Sequence, residues 1–326
     1  MNRTIVDWWS WRSKAGPGQV QDALASAFGA NPVRLAMRDR GYMGYAMSAQ
    51  VIVGDVDAGL CAWGGDNQRG WSFVSLSGSG CAWVEDWDTA QACAAKCPAY
   101  EPRRVDIALD TFDGSTGFDQ TLAAYRAGGF SPAGSGRPPK CEPMKPEHEE
   151  DSAIIRIGSR ASNKYLRGYE KGKQVVGPII AALTRQSPGI DAVGMMRGST
   201  HSLKVGPDHK TVPVWEWWRL ELELKSQTAP LPEDVIDRRD QYFAGAYPYL
   251  GQVLPGVDAE PLVMSRERGP QLDLALALEV LHRQWGPTLF TALMAHGGDM
   301  TAVWDRIVGH KHNQRLVDAG VLMVEH

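Results

Sequence analysis

Strict alternation of apolar and polar residues is plainest in three segments of the chain. In Val105–Asp110, the residues Val105, Ile107 and Leu109 oppose Asp106, Ala108 and Asp110. In Trp218–Lys225, Leu220, Leu222 and Leu224 oppose Arg219, Glu221, Glu223 and Lys225, and in Tyr165–Lys171 one side carries Tyr165, Arg167, Tyr169 and Lys171. Successive side chains of a strand point to opposite faces, so each segment predicts a strand with one chemically distinct face. Further strands are predicted at Thr4–Trp11, within Gly41–Val56, at Trp71–Gly78 and at Ala153–Ile157, and Trp215–Lys225 is the plainest of all. Glycine-marked turns such as Gly64–Gly70 separate them, which favours an antiparallel meander over βαβ units.

Helical periodicity predicts helices over Pro17–Phe28, Thr89–Ala95 and Gln120–Ala127, with a short one around Ile179–Arg185. Beyond about Gly269 three runs read as helical: QLDLALALEVLHRQW, TLFTALMAHG and MTAVWDRIVG. Gly128–Asp151 is rich in Gly, Pro, Lys and Glu and predicts a loop or hinge. The layout is α+β: an antiparallel β-sheet core with flanking helices over residues 1–250, then a small helical C-terminal region over 251–326.

Composition narrows the class. With 43% hydrophobic and 22% charged residues the 326-residue chain is globular rather than disordered. No run approaches ~18 consecutive apolar residues, so no transmembrane helix is expected, and the first residues lack the features of a secretory signal. Five cysteines at irregular spacing argue against a disulfide framework and for a reducing compartment, the cytoplasm. Cys93 and Cys97 lack a second pair at zinc spacing and are read as packing residues. Ser77–Cys81 is glycine-rich but lacks the Gly-Lys-Ser/Thr ending of a phosphate-binding loop, so it is read as a tight turn. Net charge is −4, yet Ser152–Lys225 holds twelve Lys/Arg against six Asp/Glu, a local +6 that leaves −10 for the remainder. Local positive charge is what phosphate binding needs.

The charged strand faces hold the parts of a phosphodiester transesterification. A phenol is a poor nucleophile at neutral pH, its ordinary pKa being ~10. Arg167 and Lys171 beside Tyr169 are expected to favour phenolate and to grip phosphates. Carboxylates can hold a divalent cation that neutralises the scissile phosphate. Asp106 and Asp110 lie about 13 Å apart on a regular strand, too far to share one Mg²⁺ at ~2.1 Å. One of them with Glu221 or Glu223 from a neighbouring strand, ~4.8 Å away, is the better set. The metal reading is Mg²⁺ or Mn²⁺ held among Asp106, Asp110 and Glu221.

At these residues the chain resembles the replication initiation factor family of filamentous phages and rolling-circle plasmids. The resemblance is carried by RVDIALDTFDG (Arg104–Gly114), the AYRAGGF…GRPP segment (Ala124–Pro139) and IGSRASNKYLRGYEKGKQ (Ile157–Gln174). It continues in WWRLELELK (Trp217–Lys225) and DVIDRRDQYFAGAYPYL (Asp234–Leu250). It implies metal-dependent nicking and religation of one strand at a double-stranded replication origin, through a 5′-phosphotyrosyl link that frees a 3′-OH. Partners implied are the origin, single-stranded DNA, the host helicase and polymerase, and a second copy in a homodimer, with no membrane. The family's tyrosine falls in YLRGYEKG and points to Tyr169 as nucleophile, with Arg167 and Lys171 assisting; Tyr165 is the competing position. Arg160, Lys164, Lys173 and Arg219 are the expected DNA contacts. About forty residues between Gly172 and Trp217 exceed the short turn expected there. His310–Lys311–His312 lacks the apolar centre of a His-hydrophobic-His metal motif and is read as a surface cluster. Trp215 and Trp217 are expected on the charged face and Trp218 in the core. A DNA-binding regulator on the same fold, without catalysis, is the alternative; acids opposite a basic face favour the enzyme, because carboxylates alone repel phosphate.

Overall fold

The computed structural model describes residues 3–131, 138–148, 151–205, 208–227, 229–262, 274–313 and 316–317. In chain order the elements are β1 (Ile5–Ser13), α1 (Pro17–Ala27), β2 (Val33–Met37), β3 (Met47–Val53), β4 (Val56–Trp63) and β5 (Ser72–Leu76). There follow α2 (Gly78–Cys81), α3 (Trp87–Ala95), β6 (Glu101–Thr111), α4 (Phe118–Arg126), β7 (Cys141–Met144), β8 (Ile154–Gly158) and β9 (Lys164–Glu170). The last third holds α5 (Lys171–Gln186), α6 (Ala192–Arg197), β10 (Thr200–Val205), β11 (Asp208–Pro213), β12 (Trp218–Lys225), α7 (Arg239–Ala246), α8 (Pro248–Val253), α9 (Leu274–Ala295) and α10 (Met300–Ile307).

Ten strands form one sheet in the order β2-β3-β4-β5-β1-β6-β12-β9-β8-β7, every neighbouring pair antiparallel. The α+β class and the antiparallel core expected from alternation are what the structure shows. One face is the core: Val105, Ile107, Leu220, Leu222, Leu224, Leu166, Ile155 and Ile157 are fully buried, with Val20, Leu24, Phe243 and Leu250 from the helices in the same cluster. Trp218 is buried among them, as its place in the alternation required. Packing is close at Gly168, where a Cβ would lie 2.8 Å from Trp218 Cζ2 and 2.9 Å from Ile155 Cγ2. Any side chain there would force strands apart.

Several segments differ from the sequence expectation, each for a local reason. The expected hinge at Gly128–Asp151 contains the edge strand β7, too short and proline-bearing to show alternation. Residues 132–137 of the GRPP segment lie outside the described residues. The strand expected to run to Lys171 stops at Glu170, and α5 starts at once, earlier than the Ile179–Arg185 helix suggested by periodicity. Gly172, Gly177 and an interior Pro178 hide that helix from propensity. Gly172 is needed there, since a Cβ would sit 1.6 Å from the Val214 carbonyl oxygen. The rest of the long insertion is α6 and the separate β10–β11 hairpin, with a small core of Val176, Ile180, Ala192 and Val214. Ser77–Cys81 is a one-turn helix rather than a plain turn.

The compact main unit is Met1–Val263 and the second unit is Met264–His326. The main unit extends past residue 250 because Leu254, Val257 and Leu262 pack on its core. In the second unit the first two apolar runs form the single helix α9, and Leu278, Trp285, Phe290 and Trp304 are exposed. Among the described residues no helix is long and apolar enough to cross a membrane.

Candidate active site on the polar sheet face

Register sets the polar face in rows. Asp110, Arg219 and Tyr169 stand side by side; Ala108, Glu221, Arg167 and Arg156 form the next row; Asp106, Glu223, Tyr165 and Gly158 form the third. Directly opposed residues share a face. The acids are well sequestered, Asp106 being 1% exposed and Glu221 3%.

Tyr169 donates its hydroxyl to Glu221 Oε2 at 2.9 Å, while Arg167 Nη2 donates to Glu221 Oε1. Burial, then the Glu221 charge, pushes the phenol well above its usual range. This corrects the expected phenolate. Arg167 spends its charge on Glu221, and Lys171 opens α5, with its Nζ 5.9 Å from the Tyr169 ring centre and hydrogen-bonded to Gln174. Burial and Arg219 hold the Lys171 ammonium below its ordinary value. The tyrosine is thus a neutral donor poised on a carboxylate.

Asp106 accepts both arms of Arg104, at 2.7 and 2.6 Å, and Arg104 Nη2 lies 3.0 Å from Glu223. One guanidinium therefore bridges two opposed carboxylates. Burial, with Glu221 and Glu223 adding to it against the pull of Arg104, raises the Asp106 carboxyl to about 7. Arg219 is 2% exposed and pairs bidentately with Asp110 at 2.7 Å; a third bond of 2.7 Å reaches Asp7 on β1. Although burial opposes it, hydrogen bonding to Asp110 and the charges of Asp110 and Asp7 hold Arg219 firmly protonated.

Of the expected metal ligands, Asp106 and Glu221 are brought together around Arg167, whose Nη2 also lies 3.9 Å from Asp106. Asp110 is not brought to them, because Arg219 occupies both its oxygens. Among the described residues no group of three His, Cys, Asp or Glu stands ready to hold a metal ion. The donor chemistry nonetheless fits a hard divalent cation at Asp106 and Glu223. Both are hard oxygen donors of the kind such ions take; Arg104 bridges them, and Lys225 pairs with the other Glu223 oxygen.

The expected DNA contacts divide. Arg160 is exposed, its guanidinium 5.9 Å from the Tyr165 ring centre. Lys164 is corrected: it opposes Leu224 on the core face, and its Nζ donates to the Ala246 carbonyl at 2.7 Å. Arg219 is corrected likewise, its charge being consumed by Asp110 and Asp7. Lys173 sits on α5 and pairs with Glu170 at 3.1 Å. Trp217 is buried beside Phe112 and His201 rather than open to bases, and Trp215 packs on the small core of the insertion, beneath Lys173 and Arg197. Sequence reading left Arg104, Arg156 and Asp7 unassigned. The first two were visible as bases alternating with apolar residues in RRVDI and IIRIG; Asp7 gave no such signal.

One face of this α+β sheet thus gathers a tyrosine, carboxylates and guanidinium groups on three adjoining strands. Residues 102–178 match the family model described as replication initiation factor. That span runs from β6 into α5 and includes Asp106, Asp110, Arg156, Arg160, Arg167 and Tyr169, so the resemblance read from the motifs holds over it. Among solved structures, the rolling circle replication initiator protein from Geobacillus stearothermophilus aligns with 80% of this chain and 99% of its own, at 16% identity and a TM-score of 0.49. No curated protein matches the chain.

Proposed function

We propose that the protein initiates rolling-circle DNA replication by nicking and rejoining one strand of a replication origin, with Tyr169 as the attacking group. The observation that carries this reading is the hydroxyl of Tyr169, a residue of the segment that matches the family model, lodged on Glu221 of β12. Glu221 is the general base, since it already accepts the proton that must leave. As the Oη–P bond forms and the P–O3′ bond breaks, the proton passes to Glu221 and the 3′ oxygen takes a proton from solvent. Rejoining is the reverse. Arg167 offsets the charge around the attacked phosphate, its Nε being buried without a hydrogen-bond partner. Asp106 and Glu223 are the residues that would hold Mg²⁺ or Mn²⁺, which would supply neutralisation of phosphate charge. The freed 3′-OH would prime the host polymerase while a host helicase parts the strands in the bacterial cytoplasm.

The test incubates the purified protein with supercoiled origin DNA and Mg²⁺ and resolves covalent protein–DNA adducts on denaturing gels. Adducts are expected from the unaltered chain and from Tyr165→Phe, and none from Tyr169→Phe, which should still bind the origin. An adduct from Tyr169→Phe that Tyr165→Phe cannot form transfers the role to Tyr165. Binding without any adduct leaves the non-catalytic regulator.

A further inference from the structure

At the β7–β8–β9 end of the polar face lies an open cavity of about 420 Å³, lined by Lys140, Glu142, Arg156, Gly158, Ser159, Arg160 and Tyr165. Its size falls within the range of small-ligand sites. Three of its side chains are cationic and one is acidic, and that acid, Glu142, is already paired with Lys140. Arg156 and Arg160 form no ion pair among the described residues.

Arg156 stands directly opposite Arg167 across β8 and β9. Like charges so placed repel each other unless something lies between them. The Nε atoms of both arginines are buried and have no hydrogen-bond partner. Arg167 already has Glu221 as its anion, whereas Arg156 has only the Met144 sulfur, 3.2 Å from its Nη1, so the cation left to be answered by an anion is Arg156. Beside them the Tyr165 ring forms a wall of the cavity, with the Arg160 guanidinium near its face. An aromatic ring with a neighbouring guanidinium is how proteins seat an unpaired base whatever its sequence.

We infer that this cavity is a binding site for one unpaired nucleotide of the nicked strand, its base against Tyr165 and Arg160 and its phosphate on Arg156. This rests on the nicking reading above and adds a subsite to it. Tyr165 lies four residues from Tyr169 along β9, about 13 Å, a span of a few nucleotides at ~3.4 Å each when stacked. The seated base would therefore be a near neighbour of the scissile phosphate rather than the nucleotide attacked. It also gives the competing tyrosine a purpose of its own.

The experiment uses the full chain and a short fluorescent single-stranded oligothymidine, followed by anisotropy across a salt series. Arg156→Gln and Arg160→Ala are each expected to weaken binding about tenfold. Each should also flatten the salt slope of log affinity by roughly 0.7. A second arm moves one abasic nucleotide along the nicked strand. One position should cost the unaltered chain about tenfold in affinity, and that penalty should vanish in Tyr165→Leu. Arg160 is at the surface, so its variant keeps the test decisive if Tyr165→Leu does not fold. Unaltered affinity and slope in both arginine variants, with adduct formation at Tyr169 intact, overturns the subsite and leaves the nicking reading standing. No oligothymidine binding and no adduct from the unaltered chain overturns both.

Discussion

The two faces of β6, β12 and β9 are written by alternate residues of the same three segments, and they hold together in different ways. On the core face Ile107, Leu222 and Leu166 touch many neighbours and depend on none in particular. On the polar face the central groups are held by single named partners: Asp106 with Arg104, Asp110 with Arg219, Tyr169 with Glu221. Apolar packing degrades in proportion to the volume removed. A buried ion pair does not, because losing one member leaves the other charged and unsolvated. The core face therefore tolerates change of shape, and the polar face tolerates very little change of kind.

The sharpest break in this contrast is expected at Glu221. Glu221→Gln keeps the shape but removes the proton acceptor, so nicking should fall by about 10²–10⁴-fold. Origin affinity should stay near that of the unaltered chain, as read by gel shift beside an adduct assay. A variant that nicks at the unaltered rate would remove Glu221 as base.

Arg219→Met probes the polar face for stability rather than rate. It strands Asp7 and Asp110, and urea unfolding should show a loss of about 3–5 kcal/mol. A loss under ~1 kcal/mol would mean that water reaches these acids freely and that the pairs contribute little. On the core face Leu222→Met conserves volume and should cost less than ~1.5 kcal/mol. If Leu222→Met proved the costlier of the two, the contrast between faces would collapse.

Asp106 supplies a pH test with an unusual sign. Its folded carboxyl is raised to about 7, so the folded state holds this proton more tightly than the unfolded chain does. The group therefore lowers stability as pH rises from about 4 toward 7, by about 2 kcal/mol between pH 5 and 7. Asp106→Asn should flatten this part of the curve, measured by urea unfolding at pH 5 and 7. An unchanged slope would show that Arg104 already holds Asp106 ionised.

The smallest effect is expected at the helix-borne lysine. Because Lys173 is committed to Glu170, Lys173→Ala should leave the salt slope of DNA binding within error of the unaltered chain. A slope lowered by roughly 0.9 on duplex would restore it as a phosphate contact.

How much of this was legible follows from the same contrast. Alternation named both faces of β6, β9 and β12, and with them Asp106, Asp110, Glu221 and Tyr169, because a period of two is a local property. Who pairs with whom is not local. Arg219 read as a DNA contact until register set it between Asp110 and Tyr169. Asp7 gave no sign at all, since β1 is irregular between Val6 and Trp8 and simple alternation fails there. Lys171 was misplaced because a strand passes into a helix without a loop, so its position follows the helix and not the strand pattern.

The sheet order carries a consequence for the chain while it is being made. Strand β6 closes at Thr111, but its outer neighbour β12 begins only at Trp218. At synthesis rates of ~5–20 residues per second, the edge of β6 stands unpaired for roughly 5–20 s. An exposed edge invites pairing with another nascent chain, and charge along the strand discourages it. Asp106 and Asp110 lie on that strand throughout the wait, without Arg219 to neutralise Asp110. The carboxylates that later furnish the polar face would first keep the half-made sheet from joining its neighbours.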